Sequence, residues 1–147
     1  MKILFDTNVF ISFLLAKGTR NRVKEGVEAC IADPNIEIVV PQEVIDEIER
    51  VASEKEYLRL RIPEESLAEF LATIPFLGKV RPPLPDITSI SRDPKDDFLL
   101  AQSRREGVEY LVTGDDDLLS MGEIGTVKIV NITRLCEILI DRGFQRE

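Results

Sequence analysis

The chain has 147 residues, 44% of them hydrophobic and 31% charged, with 27 acidic side chains against 19 basic ones and no histidine. These values suit one soluble globular domain, and the missing histidine excludes a His-based triad, a His-ligated zinc site and the commonest general acid–base group. A net charge of −8 opposes a nucleic-acid partner, except that two bound divalent ions would add about four positive charges. The chemistry therefore falls to carboxylates, whose hard oxygens suit magnesium, manganese or calcium.

Residues 2–5 (KILF) are mostly apolar and too few for a helix, which predicts a strand buried on both faces. The strand stops at Asp6, and Asp6-Thr7-Asn8 supplies turn and N-cap chemistry for an apolar helical run over residues 9–15. Lys2 before an apolar run has the outline of a signal peptide. Asp6, Thr7 and Asn8 interrupt that run, however, and no small-residue cleavage site follows. Nowhere does an apolar stretch approach the roughly 20 residues that span a bilayer. Cys30 and Cys136 lie among apolar residues at helical spacing and read as reduced core thiols. Together these features lead us to expect a cytoplasmic protein.

Gly18 fits the end of the first helix, and Val23, Val27, Cys30 and Ile31 recur at helical spacing up to Asp33-Pro34-Asn35. Lys17, Arg20, Arg22 and Lys24 read either as a solvated face or as a phosphate-contacting patch. A second strand is expected over 36–40, with Pro41 in the first turn of a helix running from Gln42 to about Ser53. Val44, Ile45, Ile48 and Val51 form its apolar stripe. Glu47 and Glu49 flank that stripe on opposite sides, so helical geometry alone does not choose between them. Residues 54–61 read as a helix end and connection. Pro63 opens another helix carrying Leu67, Phe70, Leu71 and Ile74, and prolines 75, 82, 83 and 85 predict an extended connection up to Ile90. Asp93 fits an N-cap with Pro94 behind it, and the helix then runs from there to Gly107. Capping and the helix dipole account for Asp93 and Asp96 but not for Asp97. Residues 110–112 give a third buried strand ending at Thr113-Gly114-Asp115-Asp116-Asp117. Residues 127–130 give a fourth, and Thr133 caps a last helix before Gly143. Strands alternating with helices predict an α/β fold with a mainly parallel sheet covered on both faces.

Acids recur at four junctions: Asp6, Glu47, Asp97, and Asp115 with Asp117. Right-handed crossovers would line the strand ends along one sheet edge, and unprotonated carboxylates gathered there repel unless they share a divalent cation. A pair of such cations about 4 Å apart activates a water and stabilises the leaving oxygen of a phosphodiester. Thr113 and Asn8 are neutral donors suited to holding a carboxylate or a phosphate oxygen.

The segments ILFDTNVFIS, VVPQEVIDEIERV, SRDPKDDFLLA and YLVTGDDDLL, in this order, resemble the four successive motifs of the PIN-domain (PilT N-terminal domain) family. DPKDD and TGDDDLL are similar to those of its VapC-like toxins. The resemblance implies a three-layer α/β/α sandwich, with residues 1–147 as a single PIN-like nuclease domain. It also implies a Mg2+- or Mn2+-dependent ribonuclease, the toxin of a toxin–antitoxin pair, with RNA as substrate and an antitoxin protein or a homodimer as partners it admits. Carried over by position, the metal-binding acids are Asp6, Glu47, Asp97 and Asp115, with Asp117 an outer participant. The family pattern favours Glu47 over Glu43 and Glu49, and Asp97 over Asp96. A haloacid-dehalogenase-like phosphatase would need Asp where Asn8 stands, and a receiver module would need an acidic pair after the first strand. A non-catalytic metal- or RNA-binding PIN-like module is the alternative.

Overall fold

The structure, a computed structural model, describes residues 1–16, 21–85 and 94–143. Expectations for Lys17, Gly18, Arg20, Ile90 and Asp93 fall outside those residues. Within the described residues the chain runs β1 (Lys2–Phe5), α1 (Thr7–Leu15), α2 (Arg22–Ala32), β2 (Glu37–Pro41), α3 (Gln42–Glu54), α4 (Glu56–Arg61) and α5 (Glu64–Leu77). It continues with β3 (Lys79–Arg81), α6 (Pro94–Glu106), β4 (Tyr110–Val112), α7 (Asp116–Leu119), β5 (Glu123–Ile124), β6 (Val127–Val130) and α8 (Ile132–Asp141).

The sheet has the order β3-β2-β1-β4-β6-β5, parallel throughout except for the β5–β6 pair. Ile3, Leu4 and Phe5 are wholly buried, as a central strand covered on both faces requires. Phe5, Phe10, Phe70 and Phe13 then form a chain of ring contacts with centroids 5.6–6.0 Å apart, joining β1 to α1 and α5. That stack fixes α1 directly behind the point where β1 ends. Among the described residues no helix is long and apolar enough to cross a membrane.

The structure departs from the sequence expectation at several elements. Residues 56–61 form a helix of their own, anchored by Leu58 and Ile62, whose burial outweighs the surrounding charge. The helix carrying Leu67 and Phe70 runs on through Pro75 to Leu77, so the extended connection begins later than the prolines suggest. Pro75 forgoes one backbone bond in α5, and the burial of Ile74 beside it outweighs that loss. Behind it comes an edge strand, β3, which pairs Val39 with Lys79 and Pro41 with Arg81. Pro41 is accordingly the last residue of β2 and the N-cap of α3. Finally, α8 is capped by Asn131, whose side chain accepts from Arg134 N–H at 2.8 Å, not by Thr133. β5 is a second short edge strand, opposed to β6 in a tight hairpin with Gly125 at φ 59°.

The turn from α5 into β3 needs its glycine for space. A Cβ at Gly78 would stand 2.6 Å from Ile38 O and 3.1 Å from Val40 Cγ2. Its backbone is extended, so the demand is steric and not conformational. Gly78→Ala is expected to cost about 1–3 kcal/mol, as overpacking against backbone does, lowering the melting temperature by roughly 3–10 °C. Gly26→Ala meets only the ends of the Ile132 and Cys136 side chains and should lose much less. Thermal melts compare the two, and equal losses would contradict the account.

Candidate metal centre

The last register pair of β1 with β4 is Phe5↔Val112. The next residue of each strand, Asp6 and Thr113, therefore stands beside its neighbour at the carboxyl edge of the sheet, where ligands of open α/β sheets bind. Asp6 N–H donates to Val112 O at 2.9 Å. The Thr113 hydroxyl donates to Asp6 Oδ2 at 2.7 Å, and Thr113 Oγ1 accepts from Asp115 N–H at 3.0 Å. Asp115 Oδ1 in turn accepts from Asp117 N–H at 2.9 Å and so caps α7. Parallel pairing thus converts two residues far apart in sequence into one hydrogen-bonded chain.

Asp6 occupies the N-cap position of α1, yet its side chain makes no capping bond. It is only 7% exposed. Burial raises its carboxyl above the ordinary value of 3.8; the Thr113 hydroxyl and the Thr7 amide pull it back, and the charges of Glu47 and Asp115 push it up further. Glu47, on the second turn of α3, and Asp115, after β4, therefore lie within electrostatic reach of Asp6. Asp97 is 5% exposed in the first turn of α6. That helix leads into the start of β4. Asp117 and Asn8 are exposed, on α7 and on the first turn of α1.

Asp6, Thr113, Glu47 and Asp115 are thus gathered, while Asp97 is buried at the start of α6. Among the described residues no three acids stand close enough to cage an ion as they are. Two buried oxygens near this edge lack a hydrogen-bond partner among the described residues: Thr7 Oγ1, next to Asp6, and Glu43 Oε1, one turn before Glu47. The family pattern favours Glu47 over Glu43, and i, i+4 spacing puts both on one helix face. Desolvated Asp6, like charges beside it and orphaned hard oxygens form a donor set that fits a divalent cation.

A search of curated proteins returns no match. A family model described as the PIN domain matches residues 2–117, a span that runs from β1 into α7 and contains Asp6, Glu47, Asp97, Asp115 and Asp117. Six strands, mainly parallel and interleaved with helices, are the α/β/α architecture such a match implies, and over most of its length the chain belongs to the PIN-domain family.

Proposed function

We propose that this chain is a Mg2+- or Mn2+-dependent endoribonuclease, a single cytoplasmic domain that acts as the toxin of a toxin–antitoxin pair. PIN domains are generally nucleases acting on nucleic acid. The observation that carries the metal dependence is Asp6: a buried carboxylate beside the negative charges of Glu47 and Asp115, held among the described residues by hydrogen bonds from Thr113 and the Thr7 amide. Such a group is stable in its ionised form when a cation shares it.

In this reading Asp6, Glu47, Asp97 and Asp115 would hold the cation, with Asp117 outside them. A bound cation supplies Lewis-acid polarisation of the phosphodiester and a more acidic water. The chain's own residues then have separable tasks. Thr113 fixes the orientation of Asp6 through its 2.7 Å hydrogen bond. Asp115, tied to Thr113 and to Asp117 N–H, is held at the start of α7. Asn8, exposed on the first turn of α1, offers an amide N–H2 to a phosphate oxygen.

With no histidine in the chain, no side chain has an ordinary pKa near neutrality for general acid–base attack by the ribose 2′-hydroxyl. Water is then the nucleophile, and the products carry 5′-phosphate and 3′-hydroxyl ends. End-labelled RNA digested with Mg2+ or Mn2+, and with EDTA as control, tests this. Products ending in 2′,3′-cyclic phosphate, or cleavage undiminished by EDTA, would overturn the mechanism. RNA or metal binding without turnover would favour the non-catalytic module. Growth arrest on expression, relieved by a small protein from the adjoining reading frame, tests the toxin assignment.

A further inference from the structure

We infer that the outer face of α4 is a second contact for the substrate, a seat for unpaired bases of single-stranded RNA away from the bond that is cut. The inference rests on the ribonuclease reading above. Leu58 and Ile62 pin α4 to the core, whereas Tyr57 and Leu60 are 57% and 78% exposed. Neither is needed for the fold, and an exposed tyrosine on an anchored helix loses little freedom when a base stacks on it. Tyr57 and Arg61 are at i, i+4 spacing and share a face.

Lys55, Arg59 and Arg61 make no ion pair or side-chain hydrogen bond among the described residues. Cations left unneutralised in a chain of net charge −8 are available to phosphates. Arg59, two positions from Tyr57 and so on the other flank of α4, lines a cleft of about 460 Å³ together with Ala52, Ser53, Ile62, Glu64 and Leu67, a size that admits a nucleobase. Glu54, Glu56, Glu64 and Glu65 are exposed acids flanking this helix, Glu54 paired with Arg50 and Glu64 lining the cleft, and they weaken the patch without closing it. From Glu47 to Lys55 is about 12 Å along a helix axis, so one RNA strand a few nucleotides long would touch both. Stacking needs a free base face, which a duplex hides, and this selects unpaired RNA.

Fluorescence anisotropy with a short unstructured RNA in EDTA, where nothing is cut, provides the test. Tyr57→Ala is expected to weaken binding about tenfold or more. Arg59→Ala with Arg61→Ala should reduce the slope of log K against log salt by about 1.4, roughly 0.7 for each phosphate no longer neutralised. Glu56→Gln should tighten binding, and a blunt duplex of the same sequence should bind more weakly than the single strand. Melting temperatures should not change, since these side chains are exposed. Equal affinities for the unsubstituted and Tyr57→Ala proteins, or no binding by either, would overturn the inference. So would a change confined to self-association in light scattering, which would make the face a protein contact. Cleavage by the unsubstituted protein, assayed separately with Mn2+, judges the ribonuclease reading: binding lost on substitution without any cleavage sinks that reading alone.

Discussion

Glu47→Gln is expected to lower metal-dependent cleavage by at least about a hundredfold, the upper range for groups that merely orient a ligand, while Glu49→Gln and Asp46→Asn stay within a few-fold. All three lie on α3, so the contrast is a test of direction. Glu47 is half-buried and its charge is felt by Asp6. Glu49 and Asp46 are exposed, and Asp46 is occupied by a 3.0 Å hydrogen bond from Gln42 on the outside of the helix. Glutamine keeps the size of Glu47 and removes the charge, so an inactive variant that still folds assigns the loss to the carboxylate. Glu43→Gln belongs in the same assay because its Oε1 is buried without a partner. If that variant is dead and Glu47→Gln active, the site sits one turn nearer the start of α3 than proposed.

Asp6→Asn should reverse its effect on stability when metal is added. Without metal, Asp6 is a buried carboxylate whose pKa is raised first by burial and then by Glu47 and Asp115. Removing its charge should stabilise the protein by about 1 kcal/mol, roughly 2–4 °C in melting temperature. With metal at a hundredfold excess over Kd, the unsubstituted protein gains about 2.7 kcal/mol, and the variant, short of a ligand, gains much less. The two melting curves therefore cross during a titration, and EDTA restores the first order. The sign with pH follows from the same shift. A carboxyl raised in the folded state favours folding below its ordinary value of 3.8 and loses that contribution as pH rises through the raised value. In EDTA the advantage of the variant should shrink on acidification through that window. Parallel curves throughout would mean that Asp6 is a structural residue.

The strands that the sequence revealed are those whose environment is simplest. β1, β2 and β4 are covered on both faces or nearly so, β6 alternates buried Val127 and Ile129 with exposed Lys128, and their Ile, Leu and Val residues are unmistakable. β3 (KVR) and β5 (EI) lie at the edges, are too short to show alternation, and owe their form to the neighbour they pair with. Pro75 and the charges of α4 misled because a local rule was weighed without the burial of Ile74, Leu58 and Ile62. Asn131 and Thr133 are both good caps, and only backbone geometry separates them. At the candidate site the acids were legible as residues after strands. The bond from Thr113 to Asp6 was not, because it depends on β4 lying beside β1, which no local pattern encodes.

That adjacency also sets when the site can come into being during synthesis. Asp6 emerges from the ribosome well before the hydroxyl that holds it, which belongs to a residue 107 positions later. At about 5–20 residues per second, several seconds pass in which the nascent chain carries Asp6 and Glu47 but neither β4 nor Asp115. A chain halted before residue 110 lacks one strand neighbour of β1 and the acids that follow it. Translation itself thus delays the assembly of the carboxylate cluster until β4 and the acids after it have been made.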